Sequence, residues 1–120
     1  MFDKTKYMAL GLVALFSLAD FADAGAWGGP KIRSTSVNAY STDEFQITFV
    51  SGQYASILVD GDGDTDLDLY VYDGNGNLID FDDDGTDTCF VEFVPRWNGV
   101  FTIQVVNRGP VYNRYTLITN

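Results

Sequence analysis

Past Pro30 the chain alternates. Phe45, Ile47 and Phe49 are spaced by Gln46 and Thr48, and Ala55, Ile57 and Val59 by Ser56 and Leu58. Leu67, Leu69 and Val71 alternate with Asp66, Asp68, Tyr70 and Tyr72. Cys89-Val91-Phe93, Phe101-Ile103-Val105 and Tyr115-Leu117 follow the same rule. A period of two puts every second side chain on one face, which is the mark of a strand covering a core. The runs are separated by turn-forming residues: Ser51-Gly52, Asp60-Gly61, Asp73 to Asn77, Asp84-Gly85, Asn98-Gly99 and Arg108-Gly109-Pro110. This spacing predicts an all-β sandwich of about seven to eight short antiparallel strands over residues 44–120. Residues 27–43 are polar and read as an N-terminal arm, or as a first edge strand around Ser36 to Tyr40.

The chain's beginning has another character. Lys4 and Lys6 precede an apolar run from Met8 to Ala19, and small residues follow at Ala22, Ala24 and Ala26. About a dozen apolar residues are too few to cross a bilayer, which takes roughly 20 in a helix. The order of basic start, apolar run and Ala-x-Ala is that of an export leader over residues 1–26, cut after Ala24 or Ala26. The expected location is therefore secreted, extracellular or at the cell surface, with no membrane contact once the leader is gone.

Composition narrows the function. At 120 residues the chain is one domain at most. Its net charge of −10 turns it away from nucleic acid and anionic lipid and towards cations. There is no histidine, so the commonest general base and zinc ligand are missing. Cys89 is the single cysteine, so no intrachain disulfide forms, and its place among Val91 and Phe93 marks it as a small buried residue. Asp68 and Asp82 could be imagined as a glycosidase pair, but nothing signals a cleft around them. The chain is expected to catalyse nothing.

The acidic residues are gathered. Ten of seventeen lie between Asp60 and Asp84, with no Lys or Arg among them. A tight loop at Gly74-Asn75-Gly76 would pair Asp73 with Asn77 and set Val71 against Ile79 and Leu69 against Phe81, an apolar match that fixes the register. On the outer face the same register opposes Asp68 to Asp82, Asp66 to Asp84 and Tyr70 to Asp80. Like charges directly opposed on a sheet repel. A hard cation accepting six to eight oxygens would relieve this, and Ca²⁺ suits the set better than Mg²⁺. Asp62, Asp64, Asp66, Asp68, Asp80, Asp82 and Asp84 are the expected ligands. The spacing is not an EF-hand: counted from Asp60, Thr65 falls where that loop needs glycine and Val71 where it needs glutamate. "GDGDTDL" resembles one turn of a nonapeptide calcium repeat but occurs once, and such repeats need neighbours.

Residues 60–117 resemble the bacterial pre-peptidase C-terminal (PPC) domain, most specifically in "DTDLDLYVYD", "PRWNGVFTIQVVN" and "YNRYTL". The resemblance runs from about Phe45 to the C-terminus. It implies a calcium-associated, jelly-roll-like sandwich, acidic positions at Asp66, Asp68 and Asp80 to Asp84, and an aromatic-glycine corner at Trp97 and Gly99. The family usually follows a secreted peptidase, whereas this chain is expected to carry the module by itself.

Tyr70 and Tyr72, outward beside the aspartates, and Trp97 are candidate contacts for a ligand or another subunit. Arg96, Arg108 and Arg114 sit in the last quarter, opposite in sign to the acidic middle. Two functions remain open. In the first, a calcium-binding structural subunit self-assembles into filaments or matrix, the arm adding a strand to a neighbour. In the second, the module binds a polysaccharide or an extracellular protein.

Overall fold

The computed structural model describes residues 25–120; the expected export leader lies outside them except for Gly25 and Ala26. Eight strands form: β1 (Ile32–Val37), β2 (Thr42–Phe49), β3 (Ala55–Gly61), β4 (Leu67–Tyr72), β5 (Leu78–Asp82), β6 (Thr88–Phe93), β7 (Gly99–Asn107) and β8 (Asn113–Thr119). They make two four-stranded antiparallel sheets, in the orders β1-β8-β3-β6 and β2-β7-β4-β5. Except for the β4–β5 hairpin, successive strands pass from one sheet to the other, which is the jelly-roll wrapping. Among the described residues no helix is long and apolar enough to span a membrane.

The alternation accounts for the core. Ile57, Val59, Leu67, Leu69, Val71, Ile103 and Val105 are fully buried between the sheets. Phe49, Phe93 and Phe101 fill one end, Phe49 meeting the other two nearly edge-on at 5.2 and 5.7 Å between centroids. Cys89 is buried as expected, its thiol against the Leu67 carbonyl at 3.1 Å.

The polar segment 27–43 is built into the fold. β1 is the outer strand of its sheet, paired with β8 from Ile32↔Ile118 to Val37↔Asn113. It is therefore engaged within its own chain and is not a free arm for a neighbour. The edge strand falls at Ile32–Val37, four residues before the Ser36 to Tyr40 expectation, because Tyr40 turns the corner with φ of 53°.

The acidic hairpin carries the main correction. Its turn closes as expected, the Asp73 amide donating to the Asn77 carbonyl at 2.9 Å, and Tyr72 pairs with Leu78. Beyond that pair the register shifts: Val71 faces Asp80, Tyr70 faces Phe81 and Leu69 faces Asp82. Ile79 is the extra residue of a β-bulge, and a one-residue shift exchanges the faces of everything after it. Phe81, expected in the core, is 48% exposed, and Ile79 is 38% exposed. Asp82, expected outside, is buried.

The physical reason lies across the sandwich. β5 and β6 are edge strands of different sheets on the same side of the molecule. The outer amides of β6 have no strand to bond, and an unpaired buried amide costs about 1–3 kcal/mol. The Asp82 carboxylate accepts the Phe90 amide at 2.9 Å, and Asp80 accepts that of Glu92 at 3.3 Å. Two inward carboxylates close an open sheet edge, which outweighs the burial of Ile79 and Phe81.

Candidate functional site

The hairpin and the loops beside it deliver the acidic residues to three different places. Asp62 and Asp64 lie at the end of β3, where Asp62 accepts the Arg114 amide at 2.9 Å and the Asp64 amide at 3.0 Å. These donors, the Arg114 amide foremost, hold the Asp62 carboxyl below its usual value. Asp80 and Asp82 are spent on the edge of β6. Asp84 accepts the amide and hydroxyl of Thr86 at 3.2 and 2.9 Å, forming the loop into β6. The expected square of Asp66, Asp68, Asp82 and Asp84 is therefore broken up by the bulge. Among the described residues, no three carboxylates or thiols gather closely enough to cage a metal by themselves.

Asp66 and Asp68 behave differently. Asp68 projects from the outer face of β4 yet is only 5% exposed. Arg108, forty positions later, lies over it: its Nε donates to Asp68 Oδ2 at 2.7 Å and its guanidinium also reaches the Tyr70 hydroxyl at 3.1 Å. The backbone fixes this cover, since the Arg108 amide donates to the Asp66 carbonyl at 3.0 Å. No Lys or Arg is near the aspartates in sequence, yet Arg108 attends one of them in space. Sequence distance hid Arg108, and the antiparallel pairing of β4 with β7 supplies it: Asp68 faces Val106, two residues before the arginine.

One guanidinium does not satisfy the pair. Asp66 Oδ1 and Asp68 Oδ1 are both buried and have no hydrogen-bond partner. Burial first, then the charges of Asp68 and Asp84, push the Asp66 carboxyl above its usual value of 3.8, against a smaller opposing pull from Arg108. Here carboxylate repulsion persists after folding. Two orphaned carboxylate oxygens, with Asp83 and Asp84 close enough to be felt, form a donor set that fits a hard oxygen-seeking cation.

Tyr70 and Tyr72 lie on the outer face of β4, and Trp97 lies in the connection between β6 and β7. Tyr70 and the outward-turned Phe81 run nearly parallel, 16° apart with centroids at 6.1 Å. Phe81 was hidden from sequence reasoning by the bulge. Next along the face, Tyr72 pairs with Leu78. Leu78 in turn lines a cleft of about 330 Å³ with Ile79, Val94, Arg96 and Trp97, the indole being 45% exposed. Trp97 also meets Gly99 as an aromatic-glycine corner, a Cβ at Gly99 falling 3.2 Å from the indole.

Other proteins of known structure share this backbone. The chain matches the pre-peptidase C-terminal domain of a collagenase from Bacillus anthracis with a TM-score of 0.65. The identity is 13%, over 75% of this chain and 88% of that one. The fold is PPC-like. The same fold also relates it to PliG from Aeromonas hydrophila, a periplasmic inhibitor of g-type lysozyme, at a TM-score of 0.56, with 16% identity over 82% and 88% of the two chains. A third match is the Yersinia pseudotuberculosis-derived mitogen, at 0.54 and 10% identity over 77% and 85%. No family model and no curated protein matches the sequence. The PPC-like sandwich is thus shared at the level of the backbone, while the side chains on it are this chain's own.

Proposed function

We propose that the chain is a non-catalytic extracellular binding module whose acidic rim is completed by Ca²⁺. The observation that carries this is the pair of buried, unpartnered oxygens on Asp66 and Asp68. These two residues would hold the ion, with the Asp83-Asp84 segment beside them; bound there, it supplies positive charge that the protein lacks and no chemistry. Asp62, Asp80 and Asp82 take structural parts instead, since their oxygens cap backbone amides, and Asp64 lends its own amide to Asp62. No step of catalysis is assigned to any residue.

The ligand surface of the proposal is the aromatic side of the sheet, from Tyr70 and Phe81 through Tyr72 and Leu78 to Trp97. Flat exposed rings suit the apolar faces of sugar rings, so the ligand class is an extracellular polysaccharide. Self-assembly, the other function open from sequence, loses its strand donor because β1 is paired with β8. An assembling subunit would join through other surfaces, this aromatic side among them.

Sedimentation with insoluble glycans, in Ca²⁺ and in chelator, tests the reading alongside size-exclusion chromatography. Glycan binding by a monomer that weakens in Phe81→Ala and Trp97→Ala supports it. Calcium-dependent oligomers without glycan binding would replace it with the assembling subunit. Capture of a protein partner alone would move the ligand to that class.

A further inference from the structure

The sequence offers two cleavage points for the expected leader, and the structure separates them. Ala22-Asp23-Ala24 and Ala24-Gly25-Ala26 both present small residues at the positions an export peptidase reads. The enzyme meets an extended chain ahead of folding, so both bonds are open to it. What differs is the product.

Gly25 and Ala26 are parts of the sandwich. The Gly25 carbonyl accepts the Val50 amide at 2.9 Å, and the Ala26 amide donates to the carbonyl of Asn120 at 3.2 Å. Ala26 forms a β-bridge with Phe49 and is 2% exposed, within the core cluster. Its carbonyl accepts the Gly29 amide at 3.0 Å, closing the turn into β1. Gly25 is held so tightly that a Cβ there would lie 2.6 Å from the Ala55 Cα, a backbone atom that cannot step aside. Trp27, by contrast, is 65% exposed. A chain beginning at Trp27 would lose a core side chain and leave the Val50 amide and Asn120 carbonyl without these partners. A chain beginning at Gly25 keeps every one of these contacts.

We infer that the export leader is removed at the Ala24–Gly25 bond, so that the mature chain begins at Gly25. Water adds across that amide, leaving a carboxylate on Ala24 and a free amino group on Gly25. The inference rests on the leader reading of residues 1–26 and is independent of the calcium proposal.

Expressing the full chain in an exporting bacterial host and sequencing the N-terminus of the exported protein tests it. A start at Gly25 is expected. A start at Trp27 would overturn the site, and a start at Met1 would overturn the leader reading itself. Ala22→Gln changes only the first of the two motifs, so the product beginning at Gly25 should fall sharply, with uncut precursor or a product beginning at Trp27 in its place; an undiminished yield of the Gly25 product would contradict the assignment. The two mature forms should also differ in stability, the Trp27 form melting lower by roughly 5 °C or more. Equal melting would remove the structural reason for the choice.

Discussion

The carboxylate of Asp82 accepts the amide of Phe90 at 2.9 Å, and through that bond an edge strand of one sheet is joined to an edge strand of the other. Asp80 repeats the contact two residues earlier in the strand, on Glu92. The seam closes the side of the sandwich that carries the acidic hairpin.

Asp82→Ala should therefore cost about 1–3 kcal/mol, because it strands a buried amide. Asp82→Asn keeps an acceptor oxygen and should cost less. Urea unfolding of both variants measures this, and an unchanged midpoint for Asp82→Ala would show that water replaces the carboxylate.

Asp66 should make the ion-free protein sensitive to pH in an unusual direction. Its carboxyl is raised above 3.8, chiefly by burial, so the folded state favours the neutral form. That contribution is fully present below 3.8 and is lost as pH rises through the raised value. In chelator, stability should fall across this mildly acidic window, and Asp66→Asn should flatten the fall and melt higher than wild type at neutral pH. Thermal melts at stepped pH measure it, and identical profiles for the two proteins would contradict the repulsion.

Tyr115 shifts the alkaline limit. It is 3% exposed and its hydroxyl donates to Asp43 at 2.6 Å. Burial first, then this bond, holds the phenol well above its usual value of 10. Its contribution is present below pH 10 and is lost only as pH rises through the higher folded value. Phenolate absorbance should show a component that appears with unfolding and is missing in Tyr115→Phe. The variant should also lose about 1 kcal/mol at neutral pH, the usual net worth of a hydrogen bond.

The sandwich was legible because its core is written in alternation. Leu67, Leu69 and Val71 on β4, and Phe101, Ile103 and Val105 on β7, face inward as their spacing requires. The turn at Asp73 to Asn77 was also legible, since its glycines and Asx side chains specify it. β5 was not. Leu78 to Asp82 alternates apolar and acidic in a way that fits either face, and burying Ile79 and Phe81 is the natural choice when β5 is considered alone. The amides of Phe90 and Glu92 decide otherwise, and they belong to another sheet. The site was half legible for the same reason: the gathering of aspartates pointed to a cation, but which two are left unsatisfied depends on a bulge and on Arg108.

Whether Asp66 and Asp68 hold an ion is decided by calorimetric titration of Ca²⁺ into the folded protein at neutral pH, with parallel melts in Ca²⁺ and in chelator. Saturable binding is expected, with a higher melting temperature in the presence of the ion, worth about 2.7 kcal/mol at a hundredfold excess over Kd. Both effects should be strongly reduced in Asp66→Asn and Asp68→Asn and kept in Asp64→Asn. No binding heat and superimposable melts for wild type would contradict the assignment, and would leave the two orphaned oxygens to water and the nearby charge of Arg108.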